Sequence, residues 1–341
     1  MLPFKLVYSD GYDLNLGNHV FPAVKFKLIR EKCLQEGIAV EADFLEPQPA
    51  PDEDILRVHT QEWVRKLKTG KLSPWEILRL EVPYSPQLVR AFWLSAGGST
   101  LAARRALADA CGFNLGGGFH HAFADHGEGF CVLNDVAVAL RVLQAAGEIQ
   151  TAMVVDLDVH HGNGTAAIFA SDPTVFTLSM HQENNYPYPK PPSDIDVGLD
   201  DFTGDDTYLR QLTQALDKAF DQFAKEAPKR TPLSRPEFTP SLSRAESRGA
   251  SAGTASPKPD LIFYLAGADP YREDQLGGLS LTLEGLQERD RMVIEAARTR
   301  SIPIAITFAG GYARRVSDTV EIHLNTILAA RKTLGTTDEH R

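Results

Sequence analysis

Residues 152–165 read AMVVDLDVHHGNGT. The opening residues are apolar and valine-rich without alternation, which predicts a strand over Ala152–Leu157 that is buried on both faces. Titratable side chains then follow at Asp156, Asp158, His160 and His161, before Gly162-Asn163-Gly164 closes the run. Strands of this kind belong to parallel sheets covered by helices on both sides. Similar runs occur at Lys5–Tyr8, Gly112–Leu115, Val175–Met180, Leu261–Ala266 and Ile302–Phe308. Stretches of helical period fall between them at Gly98–Asp109, Asn134–Ala146, Asp205–Ala224 and Thr282–Arg298. The predicted class is α/β.

The chain has 341 residues, of which 43% are hydrophobic and 23% charged, enough for a large buried core. A net charge of −10 argues against a general nucleic-acid binder, which needs a basic face. A cationic substrate is compatible with it. Three cysteines without CxxC spacing argue against a disulfide framework and a thiolate zinc cluster. The opening MLPFKLVYSD lacks the pattern of a signal peptide, and no apolar run approaches the roughly 18 residues of a spanning helix. These features predict a cytoplasmic protein with no direct contact to membrane or nucleic acid. Residues 227–259 hold six Pro, six Ser and three Thr, with six Lys or Arg against two Glu. That composition predicts a disordered insertion in a single domain spanning 1–341.

Ligand sites of open parallel sheets lie beyond the carboxyl ends of the strands. Five of the ten histidines follow predicted strands: His120 and His121 after Gly116-Gly117-Gly118-Phe119, His160, His161, and His181 after Ser179-Met180. Asp158 and His160, two apart, can point the same way, and Asp269 after Leu265-Ala266-Gly267-Ala268 is the natural third member of a metal site. One imidazole with two carboxylates suits Zn²⁺, Fe²⁺ or Mn²⁺. The alternative is that the aspartates cap helices and backbone groups satisfy the histidines. The tandem His120-His121 reads as a general base and acid, with Asp156 and Asn163 as candidate partners. Tyr312 after Gly310-Gly311 offers a phenol donor to a polarised carbonyl, or is simply a core tyrosine.

The strings GGGFHHA, GFCVLNDVAVA, VVDLDVHHGNGT, TLSMH, LAGADP and AGGY, in this order, resemble the metal-dependent histone deacetylase family over almost the whole chain. SDIDVGLDDFTGDD, LGGLSLTLEGLQERD and TFAGGYARR are most similar to its class IV branch and bacterial relatives. The resemblance implies one arginase/deacetylase-type domain with a central parallel sheet of about eight strands and helices on both faces. It assigns Asp158, His160 and Asp269 to a catalytic Zn²⁺, with Fe²⁺ as the alternative. Asp156 would orient His120, Asn163 would orient His121, and Tyr312 would serve the oxyanion. A structural K⁺ would rest on Asp156, Ser179, Met180 and nearby carbonyls.

The implied activity is removal of acetyl or longer fatty acyl groups from lysine side chains of a protein or peptide, by metal-activated water. Gly129 and Phe130 match a wall of the family's substrate tunnel. Leu276 stands where polyamine-specific relatives carry a glutamate, which argues against a polyamine substrate. Glu81 is the nearest candidate for the family's rim carboxylate. The alternatives are an amidohydrolase of small N-acylated amines such as acetylpolyamines, and a non-catalytic acyl-lysine binder. An arginase-like two-metal enzyme would want a carboxylate where Pro270 stands.

Overall fold

Among the described residues, eight strands, all parallel, form one sheet: β1 (Lys5–Val7), β2 (Phe44–Leu45), β3 (Cys111–Asn114), β4 (Ala152–Asp156), β5 (Val175–Gln182), β6 (Ile195–Leu199), β7 (Leu261–Leu265) and β8 (Ile304–Thr307). Their order across the sheet is β2-β1-β3-β8-β7-β4-β5-β6. The structure, a computed structural model, describes residues 1–14, 16–226 and 257–335. The predicted insertion at 227–259 therefore lies outside the described residues, apart from its last three.

Every residue of β3, β4, β5, β7 and β8 is buried, so both faces of the central sheet are covered. The long helix Pro86–Asp109 packs on β3 and β8 and against the helix Asp135–Ala145. The helices Lys25–Gln35, Val316–Gly335, Leu283–Thr299 and Asp205–Glu226 pack one on the next in a second group. This is the α/β domain that the uninterrupted apolar strands required. Two strands went unpredicted for physical reasons: β2 has two residues, and β6 is an edge strand with exposed Asp196 and Gly198 in its middle. The helix predicted from Gly98 begins at Pro86, where Ser85 Oγ accepts from the Leu88 amide and Pro86 fills the first turn.

Register sets up the site. Asn114 pairs with Thr307, Thr307 with Leu265, Leu265 with Asp156, and Asp156 with Ser179. The ends of β3, β8, β7 and β4 thus lie in one row, and the segments leaving them emerge side by side. The chain passes from β3 to β4 over the places that β8 and β7 later fill, so this row sits where the strand order reverses.

Candidate active site

The segments beyond β4 and β7 bring Asp158, His160 and Asp269 together, fully or almost fully buried, with one donor atom of each within 4.8 Å of the others. His160 Nδ1 lies 3.0 Å from Asp158 Oδ1 and 3.3 Å from Asp269 Oδ2. Backbone amides hold the outer oxygens: Gly310 N donates to Asp158 Oδ2 at 2.7 Å and Val159 N to Asp269 Oδ1 at 2.9 Å. Asp269 Oδ2 is buried without a hydrogen-bond partner. Burial, and then the charge of Asp158, push Asp269 up to about 7. Two carboxylates and an imidazole with an orphaned buried oxygen fit a divalent cation, which relieves both the repulsion and the missing bond. Gly310 leaves room for them, since a Cβ there would overlap Asp269 Oδ2.

The segment leaving β3 adds the histidine pair. His120 Nδ1 is 2.6 Å from Asp156 Oδ2, and His121 Nδ1 is 2.8 Å from Asn163 Oδ1. The two Nε2 atoms lie 3.1 Å apart. Burial opposes a charge on His120, but Asp156 and Asp158 outweigh it and raise its pKa to about 9. Burial, then His120 and His160, hold His121 well below the usual histidine range. The two adjacent imidazoles are thus pushed in opposite directions.

Beyond β8, Tyr312 is buried, its ring against Phe21 and Phe130. Burial, then Asp158 and Asp269, keep its phenol protonated. A cavity of about 170 Å³ opens above these groups, with His121, His160 and Tyr312 among its lining and Gly129, Phe130, Tyr186 and Leu276 as walls. Glu81 also lines it. Ser179 faces Asp156 across the β4–β5 register, within β5 rather than beyond it, and Met180 follows. Ser179 Oγ is 3.0 Å from His181 Nδ1. A second group of possible ligands, His161, His181 and Asp196, lies here, and His161 Nε2 bonds Asp196 Oδ1 at 3.0 Å.

The fold adds residues that the sequence did not single out. Asp274 Oδ2 accepts from Tyr312 N at 2.6 Å while its Oδ1 accepts from Leu276 N at 2.8 Å, so one carboxylate sets both cavity residues. Lys25, fully buried, donates to Ala309 O at 2.7 Å beneath the Tyr312 loop. Glu128 contacts both Asn163 and Tyr186. Its signal was a lone acid between two glycines beside Phe130.

A parallel sheet that gathers a candidate cation site, a histidine pair and a phenol around one cavity has the equipment of a hydrolase. A model of the histone deacetylase domain matches residues 19–228 and 247–327, and the chain belongs to that family. It is 37% identical over 330 residues to an uncharacterized protein of Picosynechococcus, covering 96% of this chain and 98% of that one. Histone deacetylase 2 of Arabidopsis thaliana is 28% identical over 93% of this chain and 77% of its own length. The acetoin utilization protein AcuC of Bacillus subtilis is 26% identical over 84% and 71%. The crystal structure of the HDA15 HD domain shares the fold, with a TM-score of 0.71 at 21% identity, covering 98% of this chain and 91% of that chain. Among the described residues, no helix is long and apolar enough to cross a membrane.

Proposed function

We propose that the chain hydrolyses the amide of acylated lysine side chains on a peptide or protein. The supporting observation is the convergence of His121, His160 and Tyr312 on one cavity, with Phe130, Tyr186 and Leu276 as walls for an aliphatic stem. Asp158, His160 and Asp269 would hold the catalytic ion, Zn²⁺ or Fe²⁺ by donor type. When bound, the ion supplies a Lewis acid that polarises the acyl carbonyl and makes a water acidic. His121, neutral and held at Nδ1 by Asn163, takes the proton of the attacking water at Nε2. Tyr312 donates to the carbonyl oxygen as it gains charge. The histidine pair then returns a proton to the leaving amine, with Asp156 holding His120 in place.

The reading extends to a K⁺ held by Asp156, Ser179, Met180 and adjacent carbonyls, and to a cytoplasmic setting consistent with three buried free cysteines. The class IV-like strings favour longer acyl chains.

Glu81 in the cavity lining supports a second reading, in which a small acylated amine pairs its free ammonium with that carboxylate. Turnover by the Zn²⁺-loaded protein separates the two. The substrates are one short peptide carrying acetyl-, octanoyl- or myristoyl-lysine, with N8-acetylspermidine in parallel. Release from the peptides supports the first reading and ranks the chain lengths. Release from acetylspermidine alone transfers the function to small amines. Zinc binding without release from any substrate favours a non-catalytic binder.

A further inference from the structure

His121 has a neutral partner, Asn163, whose amide can present either its oxygen or its NH₂ group to the ring. Which end it presents decides the tautomer. An oxygen at Nδ1 demands Nδ1–H and leaves Nε2 with a lone pair. An NH₂ group there would demand the reverse and leave Nε2 unable to accept a proton.

Glu128 makes that choice. Its Oε1 lies 2.5 Å from Asn163 Nδ2 and also accepts from Tyr186 Oη at 3.0 Å. An ionised carboxylate only accepts, so the amide must turn its NH₂ toward Glu128 and its oxygen, at 2.8 Å, toward His121 Nδ1. The carboxylate is well placed to remain ionised. Its side chain is only 14% exposed, yet His126 Nε2 stands 3.6 Å and Arg79 Nε 3.9 Å from its other oxygen.

The backbone aims the group. Glu128 and Cys131 exchange both hydrogen bonds across Gly129 and Phe130, which have φ of +52° and +68°. This tight turn sends Phe130 to the cavity wall and Glu128 to Asn163 and Tyr186. A side chain at Gly129 would bring Cβ to 2.8 Å from the His121 ring and 2.9 Å from that of Tyr186, so glycine is needed for the approach.

We propose that Glu128 is a positioning residue that fixes the tautomer of His121 through Asn163, so that Nε2 carries the lone pair. The catalytic meaning rests on His121 acting as the base, but the tautomer itself can be read without turnover.

The experiment takes the full chain loaded with Zn²⁺, as wild type, Glu128→Ala, Asn163→Asp and the double variant. Histidine ¹⁵N NMR reads the tautomer of His121, and acetyl-lysine peptide kinetics run beside it. The wild type should show Nδ1–H. Glu128→Ala should lose that single tautomer and lower kcat about 10- to 100-fold with KM nearly unchanged. Adding Asn163→Asp to Glu128→Ala should restore Nδ1–H and bring kcat back to within a few-fold, because the aspartate accepts directly from Nδ1. An unchanged tautomer in Glu128→Ala, or failure of Asn163→Asp to restore it, overturns the proposal. If no protein turns over peptide but the tautomers change as described, the hydrolase reading fails and the positioning role stands.

Discussion

At the scale of single residues, Tyr312 and Asp269 separate catalysis from stability. The Tyr312 ring packs on Phe21 and Phe130 through its faces and edges, so Tyr312→Phe keeps those contacts and removes only the hydroxyl. We expect turnover of the preferred acylated substrate to fall about 10²- to 10³-fold with zinc content unchanged, checked by kinetics and metal analysis. Asp269 sits buried beside Asp158, and its Oδ2 lacks a hydrogen bond. Asp269→Asn should abolish stoichiometric metal binding. The metal-free variant should melt no lower than the metal-free wild type, because the substitution removes a buried like-charge repulsion. Calorimetry in the presence of a chelator checks this. Asp158, His160 and His120-His121 were legible because each pair is contiguous or nearly so and follows a strand. Glu128 was not, since its bonds to Asn163 and Tyr186 close loops that local sequence does not encode.

At the scale of elements, the helix Leu283–Thr299 braces the site through Arg289, which is wholly buried. Its Nη1 donates to Gly267 O at 2.6 Å and Leu157 O at 3.3 Å, just ahead of Asp269 and Asp158. Its Nε donates to Asp290 Oδ1 at 2.9 Å, and Asp290 Oδ2 accepts from Thr326 Oγ1 on the helix Val316–Gly335 at 2.6 Å. Arg289→Met leaves Asp290 and two strand-end carbonyls short of donors. It should cost about 3–5 kcal/mol of stability, read as a lower urea midpoint. The helix itself was predicted within one residue at each end, because its amphipathic period is strong and Thr282 caps it at Gly285 N. The charged Arg289-Asp290 pair is internal because this helix packs over two strand ends, a placement that no local pattern encodes.

At the scale of the whole molecule, buried neutral histidines set the response to acid. His59 is held down to about 4 by burial, while its Nε2 accepts from Asn134 N at 3.0 Å. Burial, then Lys25 and Arg289, hold His323 well below its usual range as it stacks 4.2 Å from Phe308. Both pKa values are lower in the folded state, so the unfolded chain binds more protons below about 6.5. Their contribution is complete above that pH and is lost as pH falls toward 4, by up to about 1.4 kcal/mol per pH unit for each histidine. Urea midpoints should decline over this window, and His323→Leu should flatten the decline. The sequence by itself determined the α/β class, the strand ends that carry chemistry and most of the residues gathered there. Those follow from local periodicity and from the rule that parallel strands all point the same way. Tertiary structure alone decided that Asn114, Thr307, Leu265 and Asp156 stand in one row and that Glu128 turns the Asn163 amide. Strand order and side-chain contacts between distant segments come from the global packing of the sheet, and no local pattern encodes them.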